Sequence, residues 1–202
     1  MSWKLFAPGN FGKTVRSGAF DLSEAQSFQN QFLIALQGLA GDYFQNSMTL
    51  LVDHNELGAF GLMVNRPLEH GLHDIFPELP KHVQCPLLEG GPVEQDKLFF
   101  LHSSSLTFES TFVIGADIAI TTSEDLIEKL HQGDMPEPLL AILGYSGWGA
   151  AQLEEELGEN IWLLTPVDPD IIFNAEPEQR ASLAARQLGV DLNLIAPRAG
   201  HD

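Results

Sequence analysis

The apolar positions of this chain fall mainly into short unbroken runs. Phe32-Leu33-Ile34-Ala35-Leu36 has no polar alternation, which predicts a strand covered on both faces. Met48-Thr49-Leu50-Leu51-Val52 and Phe60-Gly61-Leu62-Met63-Val64 flank the polar stretch Asp53 to Gly58, the plan of an antiparallel hairpin with a loop longer than the tightest type. Asn65-Arg66-Pro67 closes that hairpin, because proline offers no ladder donor and restricts its predecessor. Gly38 to Asp42 read as a turn, and a short helix is expected near His73–Leu79, stopped by Pro80. Further strands are predicted at Leu87-Leu88, Leu98–His102, Phe112–Ile114, Asp117–Thr121, Leu139–Leu143 and Ile161–Leu164, with a last short one at Leu192–Ile195.

The best-marked helix begins at Thr122 or Ser123. Glu124 and Asp125 lie in its first turn, Lys129 and His131 in its last, and Gly133 supplies the stop. Shorter helices are expected at Ala150–Leu157, Pro169–Phe173 and Glu178–Leu188. Gly144-Tyr145-Ser146-Gly147-Trp148-Gly149 reads as a glycine-rich turn between a strand and a helix. Strands cluster rather than alternate with helices, which favours α+β over a doubly wound sheet.

With 202 residues and neither repeat nor linker, one domain is expected over residues 23–202. Residues 1–22 read as an arm, with Phe6, Phe11 and Phe20 set among Gly, Pro and Asn in no regular period. The arm is the candidate element for oligomerisation. The single cysteine, Cys85, has no partner for an intrachain disulfide and reads as a small buried apolar residue. No secretory signal plan and no long apolar span is visible, so a cytoplasmic location and no membrane insertion are expected.

Charge narrows the partners. The net charge is −18, and Lys4, Lys13 and Arg16 all precede the first acid, Asp21. Removing the +3 of residues 1–20 from that total leaves −21 on residues 21–202. Nucleic-acid affinity comes largely from cations that neutralise phosphates, so direct DNA or RNA binding is not expected.

Several segments resemble the YqgE/AlgH family of small bacterial proteins. They are Phe32-Leu33-Ile34-Ala35 with Gly38-Leu39, Phe44 and Ser47, then His54 through Pro67, and Gly90-Gly91-Pro92-Val93 with Leu101-His102. Thr122-Ser123-Glu124-Asp125 follows, and the strongest is Gly144-Tyr145-Ser146-Gly147-Trp148 with Gln152-Leu153-Glu154, Glu156, Asn160 and Trp162. The resemblance spans residues 32–174 in order and implies a single α+β domain, mainly antiparallel strands in a small closed barrel with helices around it. It implies no established reaction. Some members carry a transcriptional-regulator label from a link to alginate production, which says nothing of touching DNA. The resemblance leaves the N-terminal arm unexplained.

Ser146 imitates a Gly-x-Ser-x-Gly nucleophile elbow, but Trp148 stands where the second glycine belongs. Gly144, Gly147 and Gly149 match neither a dinucleotide fingerprint nor a P-loop, and the acids Glu154 to Glu156 would oppose an anion there. His70 with His73, and His54 between Asp53 and Glu56, lack the helical spacing that holds zinc and read as exposed turn residues. No catalytic residue, metal site or cofactor is therefore expected. Two turns, at Asn65-Arg66 and Gly90-Gly91, together with Tyr145, Trp148, Gln152 and Glu154, form the candidate ligand-binding set. Arg66 is its cation, suited to a carboxylate or phosphate. The competing readings are fold-defining turns and, for Gln152 and Glu154, a solvated helix face. The favoured expectation is a non-enzymatic regulatory or interaction protein that binds a protein partner or small molecule. The alternative is an enzyme of unassigned chemistry, using the region of Arg66, Tyr145, Trp148 and Glu154.

Overall fold

The computed structural model describes residues 27–36 and 41–195; the arm of residues 1–22 and Gly38 of the first predicted turn lie outside them. Strand β1 (Gln31–Ala35) leads through the short helix α1 (Gly41–Phe44) to the hairpin β2 (Met48–Asn55) and β3 (Gly58–Met63). Helix α2 (Leu72–Ile75) precedes β4 (Leu87–Glu89), the long β5 (Val93–Ser103), β6 (Phe112–Ile114) and β7 (Ile118–Thr121). Helix α3 (Glu124–His131) leads into β8 (Leu139–Gly149), and α4 (Gln152–Gly158) into β9 (Trp162–Pro166). Three helices end the described residues: α5 (Pro169–Asn174), α6 (Pro177–Gln187) and α7 (Leu192–Ile195).

The strands form one curled, antiparallel sheet with helices around it, a single α+β domain. Their order is β6-β7-β5-β8-β3-β2-β1-β9, with β4 added in parallel beside β8. The curl is a half-barrel rather than the closed barrel expected: among the described residues no pairing joins the two ends, β6 and β9.

The apolar runs are explained by what covers each face. In β1, Phe32 and Ile34 enter one cluster, whereas Leu33 and Ala35 enter another. The first cluster lies between the sheet and α5–α6, where Ile171, Ile172, Ala181 and Ala184 meet Leu50, Phe99 and Ile142. A second lies against α2 and α3 and includes Leu72, Phe100, Leu126 and Leu130. The third gathers Leu33, Leu51, Trp148, Leu153 and Trp162 under α4. Each fully buried Leu or Phe in these clusters is worth about 1.5–3 kcal/mol of transfer free energy.

Four local expectations are corrected. The segment Gly144–Gly149 is no turn, because β8 runs through it from Leu139 to Gly149. Its first half pairs with β4 and β5, and its second half with β3. Gly144, at φ +72°, sits opposite the register shift in β5 between Val93 and Leu98. Leu140 and Ile142 face the first cluster before this point, and Tyr145 faces it after, so the alternation slips by one residue. The glycine therefore marks a bulge that turns one strand from one half of the sheet to the other. Leu192–Ile195 is helical rather than a strand, and α2 ends at Ile75, well short of Leu79. His54, expected in an exposed turn, lies on β2 and is buried, because the ladder with β3 extends to Asn55 opposite Gly58.

Candidate functional site

Arg66 follows β3 on a segment that runs beside β4. The Glu89 amide donates to the Arg66 carbonyl at 2.9 Å, which holds the two segments together. The Arg66 guanidinium donates through Nη2 to the Tyr43 carbonyl at 2.7 Å and reaches Glu89 Oε2 from Nη1 at 3.4 Å. It also lies 5.2 Å from the centre of the Tyr43 ring, within cation–π range. The Tyr43 hydroxyl donates to the other Glu89 oxygen at 2.6 Å. Burial, followed by the hydrogen bond to Glu89 and that residue's charge, pushes the Tyr43 phenol up to about 12. Tyr43, Arg66 and Glu89 thus form one half-buried triad, of which only Arg66 was read from the sequence.

Gly90 and Gly91 have a packing role. A Cβ on Gly90 would stand 2.2 Å from the Gly144 carbonyl oxygen, and one on Gly91 would stand 2.2 Å from the Tyr145 backbone. The glycine pair therefore lets the chain lie flat on β8, where the Gly90 carbonyl accepts from Met63 N and from Ser146 Oγ. Ser146 is fully buried by this contact, so the apparent nucleophile is a strand residue bonded to backbone.

The remaining candidates separate. Asn65 spends its amide on backbone, accepting from Met48 N at 2.7 Å and donating to the Asn46 carbonyl at 2.8 Å. Tyr145 packs against Phe60 and Phe99 in the first cluster, and burial, then the nearby Glu94, raises its phenol. Trp148 belongs to the third cluster, because residues three apart on a strand point to opposite faces. Its indole N–H donates to Glu156 Oε2 at 2.9 Å, and that of Trp162 donates to the same oxygen at 2.7 Å. Gln152 steadies this carboxylate through Nε2 to Oε1 at 2.9 Å, while its own oxygen accepts from Gly149 N. Glu154 lies 3.0 Å from His54 Nε2. His54 Nδ1 accepts a hydrogen bond from the Phe28 amide at 3.1 Å, so the ring hydrogen is on Nε2 and is donated to Glu154. Phe44 ties the regions together, edge-on to Tyr43 at 5.0 Å and stacked 6.5 Å from Trp148. Arg66, Gly90 and Gly91 are therefore neighbours. Trp148, Gln152 and Glu154 gather around α4, and Tyr145 lies across the sheet.

A cleft of about 380 Å³ opens beside Asn65 and Arg66. Leu36 and Leu192 give it accessible apolar lining, β1 borders it at Ile34 and Ala35, and α6 contributes Glu178 and Ser182. No sequence signal joined α6 to Arg66, since more than a hundred residues separate them. Buried Arg180 anchors that helix, donating to the carbonyls of Val64 and Ala175. Among the described residues, no group of three or more His, Cys, Asp or Glu could hold a metal ion, and no helix is long and apolar enough to cross a membrane.

Residues 32–193 match the model of the AlgH-like family. The chain belongs to that family. It is 42% identical over 180 residues to the UPF0301 protein AlgH of Pseudomonas aeruginosa, covering 86% of this chain and 95% of that one. A UPF0301 protein of Thioalkalivibrio sulfidiphilus is 40% identical over 185 residues, covering 89% of this chain and all of that protein. The solution structure of P. aeruginosa AlgH superposes with a TM-score of 0.72 at 40% identity, over 90% of this chain and 100% of that one. A Corynebacterium diphtheriae crystal structure shares the fold at TM-score 0.65 and 15% identity, over 84% and 91% of the two chains. The half-barrel, its bulged β8 and the cleft beside Arg66 thus sit on an AlgH-like scaffold.

Proposed function

We propose that this AlgH-like protein is a non-enzymatic regulatory protein of the cytoplasm, that it binds a small molecule in the cleft beside Arg66, and that any effect on transcription passes through a protein partner. One observation carries the reading: the contrast in where polar groups are spent. Ser146, Glu154 and Glu156 are committed to bonds that hold the fold together. In the cleft, the side chains of Gln45, Asn46, Glu178 and Ser182 have no hydrogen-bond partner among the described residues. Polar groups without partners around a cleft that also exposes apolar side chains are the usual makings of a ligand site.

The test is a thermal-shift screen of the full chain against soluble metabolites of mixed charge, repeated with Ser182→Trp to fill the cleft. A metabolite that raises Tm for the native chain and not for the variant supports the reading. No stabilising metabolite, or one that acts equally on both, refutes it. The net charge of −18 supports indirect action on transcription. Tight, salt-sensitive DNA retention by the purified protein in a gel-shift would overturn that part. Residues 1–22 are proposed as an oligomerisation arm, so deleting them should lower the mass measured by light scattering; an unchanged mass rejects the idea.

A further inference from the structure

The lining of the cleft carries both signs of charge, at Arg66 and Glu178, and this narrows the ligand. Arg66 keeps its Nε–H and one Nη1–H without a partner among the described residues, because its three contacts use only Nη1 and Nη2. Its pairing with Glu89 is long, at 3.4 Å, and one-pronged. A planar guanidinium with donors left over is suited to a carboxylate. Glu178 is exposed on the first turn of α6 and makes no ion pair among the described residues. Glu178 and Glu176 act on the buried Arg180 by charge alone, and the Arg180 donors are turned to the carbonyls of Val64 and Ala175. Glu178 is thus an unpaired acceptor of positive charge at the rim.

The same lining holds the partly exposed apolar side chains of Leu36 and Leu192 and neutral hydrogen-bonding groups, Gln45, Asn46 and Ser182. A simple anion in the cleft would also meet Glu178, and a simple cation would also meet Arg66. A ligand carrying both charges satisfies both residues. The cleft volume of about 380 Å³ holds one small zwitterion with an apolar substituent and leaves no room for a long peptide. Resting on the ligand-binding reading above, we infer that the cleft takes a free α-amino acid with an aliphatic side chain. Its carboxylate meets Arg66, its ammonium group meets Glu178, and its side chain lies on Leu36 and Leu192.

The test uses the full chain and three probes built on leucine: the free amino acid, its N-acetyl derivative and its methyl ester. Binding is followed by calorimetry and by amide shifts at Asn46, Ser182 and Asn193 in nitrogen-15 spectra. Free leucine should bind and move those amides. Loss of a charged hydrogen bond should weaken each derivative by roughly tenfold or more. Arg66→Gln should erase the preference for acid over ester, and Glu178→Gln the preference for amine over N-acetyl amine. Glu178→Gln is exposed, so its effect stays readable even if Arg66→Gln fails to fold. Equal binding of all three probes overturns the zwitterion assignment. The assignment also falls if no free aliphatic amino acid moves the cleft amides while another metabolite does, and in that case the cleft survives as a ligand site. If no metabolite moves them, both readings fail.

Discussion

Glu156 gives the sharpest test of how this scaffold is held. One carboxylate oxygen accepts the indole hydrogens of Trp148 at 2.9 Å and Trp162 at 2.7 Å. The two rings are only 7% and 5% exposed, so water cannot replace the acceptor. Glu156→Leu would leave two buried N–H donors without a partner, at about 1–3 kcal/mol each, for a total of roughly 2–6 kcal/mol. For a chain of 150–250 residues each kcal/mol moves Tm by about 2–4 °C, so a fall of roughly 4–24 °C is expected. Glu156→Gln keeps one acceptor oxygen but loses the charge and turns an amide nitrogen towards Gln152 Nε2, costing about 1–2 kcal/mol. Urea denaturation followed by circular dichroism measures each variant. The cycle with Trp148→Phe isolates the bond: with one donor gone, the Glu156→Leu penalty should shrink by about 1 kcal/mol. A Glu156→Leu penalty below about 0.5 kcal/mol, or one unchanged in the Trp148→Phe background, would refute the clamp.

Three further predictions follow from burial. His102 is fully buried between Ser103 O and Thr121 Oγ1, each 2.9 Å away, and burial lowers its pKa below the ordinary 6.5. Because the folded value lies below the unfolded one, this stabilisation is complete above pH 6.5 and is lost as pH falls through the folded value. Native stability measured against His102→Gln should therefore decline on acidification, and parallel urea midpoints from pH 7.5 down to about 5 would contradict this. The chain has two tyrosines, Tyr43 raised to about 12 and Tyr145 raised as well, so tyrosinate absorbance at pH 10 should fall well short of the half-development of a free phenol and should rise on unfolding. Gly91→Ala would drive a Cβ to 2.2 Å from the Tyr145 backbone at φ +152° and should cost more than about 3 kcal/mol, whereas Gly158→Ala, with nothing within 4 Å, should be neutral or stabilising by up to about 1 kcal/mol in Tm measurements.

Much of the fold is legible in local pattern, because period and punctuation are properties of neighbouring residues. The run Phe32–Leu36 announced a strand buried on both faces, and acids and bases at opposite ends of Glu124–His131 announced α3. Gly144–Gly149 misled because glycine marks bulges as well as turns, and only the partner strand tells them apart. His54 misled for a related reason: a polar run reads as a loop until Glu154, a hundred residues away, accepts its N–H.

By itself, the sequence determined that the chain makes an α+β domain of antiparallel strands, that it is strongly acidic, and that it resembles the AlgH-like family. Those properties follow from composition and from contacts between near neighbours. Tertiary structure alone decided that Tyr145 and Trp148 face opposite sides of β8, and that Glu89 and Tyr43 join Arg66. It also decided that α6 walls the cleft with Glu178. Such choices belong to the register of paired strands and to helices that arrive from far along the chain. A one-residue slip at Gly144 reverses which face a side chain occupies, and no local pattern records it.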